Sequence, residues 1–266
     1  MTSYKNMKIL YSLAILAMAT LPACASQTLK PSSNIVTKTV SISSFDEIDV
    51  SRADVIVRIG TPDGTAKISA PDNIIDKLNI ECRKGELTIG YPSKYNINGN
   101  VRTTVEVTAA SLSEIDASLS SKVEVRGVID TTEKLDLQAG TSATILLGKV
   151  SAAKCDIEST TSGTVSIQQL TTSGKTEITV TTSADAKIGN LSCRMLEATA
   201  TTSGDIELKG GKTDRAEYTA NTSGSINASA LTATTGEAFA NTSGSIRCNI
   251  KNPTGLTSNT GGSIKN

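Results

Sequence analysis

Histidine and tryptophan are absent from this chain, phenylalanine occurs twice, and aromatics make up 3% of its 266 residues. Without histidine the chain lacks the commonest general base and the commonest zinc ligand, so most hydrolase and metalloenzyme mechanisms lose their first-choice residue. Without tryptophan it lacks the ring most used to stack on sugars. Charge of one sign is missing as well: 26 Lys and Arg balance 26 Asp and Glu. Neither the net charge nor any arginine-rich stripe argues for nucleic acid binding. Long hydrophobic runs are also missing. The longest, Ile9 to Leu21, is shorter than the roughly 20 residues of a membrane-spanning helix.

That run follows Lys5 and Lys8 and precedes Leu21-Pro22-Ala23-Cys24. A positive start, an apolar core and small residues at the cut predict a secretory signal over residues 1–23. Either Met1 or Met7 serves as the start. Cys directly after Leu-x-Ala resembles the lipobox of bacterial lipoproteins, which implies lipidation of Cys24; the alternative is an ordinary signal peptide cut nearby. Removing residues 1–23 takes away two lysines and leaves 24 − 26 = −2. The expected location is the cell envelope, as an outer-membrane lipoprotein facing the periplasm or the exterior, with the lipid as its sole membrane contact. Residues 24–39 are polar and aperiodic and predict a flexible tether.

What the chain does have is a repeat. The small residue closing a recurring turn falls at Ser121, Ala143, Gly163, Ala184, Gly204, Gly224 and Gly244, and seven positions before each lies an acid: Glu114, Asp136, Asp156, Glu177, Glu197, Glu217 and Glu237. Apolar columns run in step, one through Ile115, Leu137, Ile157, Ile178, Ala198, Tyr218 and Ala238, another through Val123, Ile145, Val165, Ala186, Ile206, Ile226 and Ile246. Period-2 alternation on both sides of a fixed turn gives two strands per coil, and a shorter third side carries Lys-Gly-Gly, Asn-Leu-Ser or Ala-Leu-Thr. The prediction is an all-β, right-handed parallel β-helix with coils of about 20 residues. Regular repeats are expected over 111–266 and an irregular β-rich N-terminal part over 40–110. There, Glu47-Ile48-Asp49-Val50-Ser51 echoes Glu114-Ile115-Asp116-Ala117-Ser118 and adds Glu47 to the acid column. A hairpin turn is expected at Arg83-Lys84-Gly85, and a short helical turn after Pro71.

Between the strands sits Thr-Ser-Gly or Thr-Ser-Ala, where Gly or Ala suits a tight backbone conformation. Cys155, Cys193 and Cys248 fall at different phases of the repeat. They are expected to be buried and unpaired, and their spacing matches no zinc motif.

Stacked acids repel by on the order of 1 kcal/mol per neighbouring pair in water. Lys134, Lys154, Lys175 and Arg215, two positions earlier, predict a charge ladder that offsets this. Where Met195 and Thr235 replace the base, Glu197 and Glu237, with Glu217 between them, form a candidate divalent-cation edge. From 216 onward the only charges are Glu217, Glu237, Arg247, Lys251 and Lys265, leaving a hydroxyl- and amide-rich face that suits a glycan or protein ligand, or serves only the corner chemistry. No cofactor and no resident metal are expected. The enzyme alternative is a polysaccharide-acting β-helix using Asp116 and Glu158. Repetition argues against it, because an active site is a local exception to a repeat.

The runs Ser43 to Ser51, Val55-Ile56-Val57, Lys84 to Gly90 and Leu112-Ser113-Glu114-Ile115 together resemble the auto-transporter adhesin head GIN domain family of bacterial envelope proteins, over roughly residues 38–250. The resemblance implies a β-helical fold, an envelope or secreted location and a role in attachment. It carries no site residues. No translocator barrel is evident in the chain, so self-export is not expected.

Overall fold

The computed structural model describes residues 26–99 and 102–266; Cys24 and the predicted signal lie outside them. The chain forms a β-solenoid of about 8 turns. Parallel strands stack into two main faces. On the first, Glu47–Ser51, Glu114–Ser118, Lys134–Ala139, Lys154–Ser159 and Lys175–Val180 follow one another in register and continue into the second half of Asp185–Ala200, then Gly211–Ala220 and Leu231–Ala240. On the second face, Val55, Val123, Ile145, Val165, Ala186, Ile206, Ile226 and Ile246 fall in one register line. All eight are buried, as the alternation requires of inward positions. The third side carries its own buried line, Val150, Leu170, Leu191 and Leu231, interrupted by Gly211.

The corners differ from the expectation in an informative way. Glycine is not the left-handed residue. Thr and Ser are, with φ of 48° and 63° at Thr161 and Ser162 and of 49° and 64° at Thr222 and Ser223. Each corner is a four-residue turn with two successive left-handed residues, closed by a bond such as Gly224 N–H to Asn221 O at 2.8 Å. Such turns normally take Asn-Gly, because β-branched residues strain at positive φ. Here the corner joins the ladder: Ser142 donates to Thr161 O, Ser162 to Thr182 O, and so on up to Ser243 and Thr260, at 3.0–3.1 Å. Those bonds hold the strained residues in place. Glycine follows them for a different reason: a Cβ at Gly163, Gly224 or Gly244 would collide with the carbonyl of Ala139, Ala200 or Ala220 on the coil before.

The N-terminal part is where space and sequence part company. Glu86–Gly90 and Thr104–Ala109 form the outermost parallel coil, and the coil at 47–59 lies between it and the coil at 114–130. Antiparallel strands then close that end: Asn79–Arg83 beside Glu86–Gly90, and Thr65–Pro71 followed by Ile35–Ser41 beside Thr104–Ala109. Residues 27–39 are therefore not the flexible tether expected. Gln27–Leu29 pairs with Tyr95–Ile97, and Ile35–Ser41 forms the outer edge strand. An edge strand keeps most of its side chains in water, so its composition reads as a linker. The turn at Lys84 and Gly85 has positive φ at both residues, and a short 3₁₀ turn spans Ile75–Lys77.

Cys155, Cys193 and Cys248 are buried, and with Cys82 they are unpaired. Burial pushes the Cys155 thiol far up, so it is inert rather than a nucleophile. No helix among the described residues is long and apolar enough to cross a membrane.

Candidate functional site

The register fixes the acid column as nine residues: Glu86, Glu47, Glu114, Asp136, Asp156, Glu177, Glu197, Glu217 and Glu237. Glu47 joins where its sequence echo indicated. Glu86 was missed, since a hairpin precedes it and it stacks out of chain order; its one signal was the Glu-x-Thr-x-Gly alternation.

Three of the four cations of the ladder, Lys134, Lys175 and Arg215, each serve two coils. Lys134 Nζ lies 2.7 Å from Asp136 and 2.6 Å from Asp156, and Lys175 Nζ lies 2.8 Å from Glu177 and 2.7 Å from Glu197. Arg215 likewise takes Glu217 at 2.7 Å and Glu237 at 3.0 Å. The double partnership pushes the Lys175 amine up to about 12. This corrects the premise of the cation edge. Glu197 and Glu237 do have basic neighbours, supplied by the coil before, and Glu217 shares one of them. No group of three or more His, Cys, Asp or Glu among the described residues is arranged to hold a metal ion.

Among the described residues, only the capped end of the column has unrelieved charge. Glu86, Glu47 and Glu114 stack there beside Asp49 and Asp116 around a shallow hollow of about 180 Å³. Burial first, then neighbouring carboxylates, raises the Glu114, Asp49 and Asp116 carboxyls above their usual range. Asp116 and Glu158 are separated along the face by Gln138, two rungs in all. Two rungs span about 9.6 Å, at the far limit for a hydrolytic pair and with an amide between them.

A larger cleft, of about 740 Å³, lies on the corner side of the same end. Ser51 aligns with Ser118, and Asp54 with Lys122. The corner of the coil at 47–59 is therefore only Arg52 and Ala53, where its neighbour has Leu119, Ser120 and Ser121. In the outermost coil the corner expands into the loop after Gly90, bearing Tyr91 and Tyr95. The cleft opens where this short corner recedes between the two. Arg52, at φ 57°, donates from Nη1 to Tyr95 O at 3.1 Å. Arg102 Nη1 lies 2.8 Å from Asp54, and the Tyr91 hydroxyl is 2.6 Å from Thr103 Oγ1. None of the described residues proposed from sequence as a site lines this cleft.

The sequence profile of the family described as "Putative auto-transporter adhesin, head GIN domain" matches residues 44–169 and, in an overlapping second match, 155–266. The chain belongs to this family. Two overlapping matches suit a head GIN domain that is a solenoid, since one stretch of repeats resembles the next. No curated protein matches the sequence. Solved structures share the fold. An adhesin-type protein ("putative adhesin") from Parabacteroides distasonis ATCC 8503 superposes with a TM-score of 0.73 at 18% identity, over 88% of this chain and 100% of that one. Another from Parabacteroides merdae ATCC 43184 gives 0.68 at 17%, over 90% and 99%. A protein from P. distasonis titled a "putative lipid binding protein" gives 0.66 at 15%, over 90% and 99%. At these identities the likeness is one of fold. The family points to a binding role at the cell envelope or surface.

Proposed function

We propose that this head GIN protein is a non-catalytic, lipid-anchored binding module of the outer membrane, holding a rigid rod away from the lipid at Cys24. One observation carries the reading: the exposed Thr-Ser corner and the paired acid ladder recur coil after coil, without a convergent catalytic set among the described residues. A surface of this kind suits recognition of a glycan or a protein outside the cell, and no feature of it suits nucleic acid. Family membership and the lipobox-like Leu21 to Cys24 support the envelope placement.

The test is protease shaving of intact cells, paired with metabolic lipid labelling of the wild type and C24S. The expected result is lipid incorporation that C24S abolishes and loss of the protein from shaved cells. Protection until the outer membrane is broken would remove the adhesin role, and unlabelled wild type would remove the anchor. The polysaccharide-enzyme alternative predicts turnover that D116N and E158Q abolish; this reading predicts none.

A further inference from the structure

We propose that the cleft at the interrupted corner binds an acidic, uronate-bearing oligosaccharide. The inference rests on the reading of the chain as a binding module and gives that module a site.

Position is the first argument. Every corner from Thr141 to Thr260 places a Thr at the first left-handed position, whereas the two corners bordering the cleft place Leu119 and Arg52 there. Leu119 is 42% exposed at φ 52°. A leucine strained and turned to water has no packing reason for being there, and strain of that kind accumulates at ligand sites. The repeat gives way where the cavity opens, and in a solenoid function sits at such exceptions.

Chemistry is the second argument. The lining residues carry Arg52, Arg102 and Asp54 as charges, +1 in sum. Lys77 and Lys94 stand outside the lining, their ammonium groups 5.9 and 5.2 Å from the centre of the Tyr95 ring. This is a positive cleft at the end of the molecule whose sheet face is most acidic. Arg52 and Arg102 each spend one N–H on the protein contacts described and keep further donors for a carboxylate. Asp54, the hydroxyls of Ser93 and Ser120 and the Asn96 amide offer acceptors as well. A sulfate brings no donor for those acceptors, and a phosphate near neutral pH brings only its one or two P–OH groups. A uronate sugar brings hydroxyl donors for them, a carboxylate for the guanidiniums, and C–H faces for Tyr95 and Leu119. The volume lies within the range of small-ligand sites.

The test is titration calorimetry of residues 25–266, expressed without the signal and so without the lipid that would itself enter vesicles, with tetragalacturonate, its neutral galactose counterpart, inorganic phosphate and phosphatidylglycerol vesicles as separate probes. R52N keeps the corner foldable, because Asn tolerates the left-handed region, and L119T restores the residue the other corners use. The expected result is tetragalacturonate binding at least 10-fold tighter than the neutral sugar. R52N should weaken it about 10-fold, L119T about 3-fold, and D185N on the second face not at all. Tetragalacturonate binding that ignores R52N and L119T, or preferential binding of phosphate or vesicles, overturns the proposal. No binding of tetragalacturonate also overturns it. The module reading would survive that failure if a glycan array or whole cells still captured the protein by another face, and would fall with it if neither did.

Discussion

At the scale of single residues, charge is organised so that one cation relieves two carboxylates on successive coils. Lys175 between Glu177 and Glu197 is the clearest case. Lys175→Met should cost about 0.5–1 kcal/mol, more at low salt, because partly solvated pairs are weak and screened. Lys154→Met should change little, since Lys154 makes no ion pair among the described residues; chemical denaturation at two salt concentrations measures both. Glu114 presents the opposite case. Its carboxyl is raised above its unfolded value, so the folded state holds the proton more tightly, and stability falls as pH rises through its titration. Glu114→Gln should therefore raise stability at pH 7 by roughly 0.5–1 kcal/mol, from neighbour repulsion at about 4.8 Å. The advantage should fade on acidification toward pH 4, as a melting series would record. The paired part of this column was readable in the sequence because charge and period coincide. That a base reaches the next coil was not, since only stacking brings Lys175 to Glu197.

At the scale of the element, the corner decides which coil geometry is possible. Thr and Ser accept left-handed backbone because an inter-coil hydrogen bond passes through the turn, and the residue after them must leave room for a carbonyl. Two substitutions separate these roles. Thr222→Asn should raise stability by about 0.5–1 kcal/mol by easing the positive φ of an exposed residue. Gly224→Val should lower it by about 2–3 kcal/mol, because the new side chain meets Ala200 backbone that cannot yield. Thermal unfolding compares the pair directly. The sequence showed where the corners from Ser121 to Gly244 were, through spacing alone. It misassigned the strained residue, because glycine usually marks positive φ and here marks close approach. The strand Ile35–Ser41 was hidden for a related reason: an edge strand answers to one neighbour and to water, so little of its alternation survives.

At the scale of the whole molecule, the regular coils supply rigidity and the capped end supplies the departures from regularity. The antiparallel strands Ile35–Ser41 and Asn79–Arg83 cover edges that would otherwise pair with another chain. Deleting residues 26–41 should uncover the Thr65–Pro71 edge and cause self-association that light scattering detects. The swapped stacking order, in which the coil at 86–109 lies outside the coil at 47–59, had no trace in the sequence period. The cleft that depends on this order was therefore not foreseeable. Hydrogen–deuterium exchange of the protein with and without tetragalacturonate tests the central claim, that binding occurs where the repeat is broken. Protection should concentrate at 52–54, 91–97 and 119–120 and leave the later coils unchanged. Protection spread along the Thr-Ser corners from 161 to 243, or found nowhere, would contradict it.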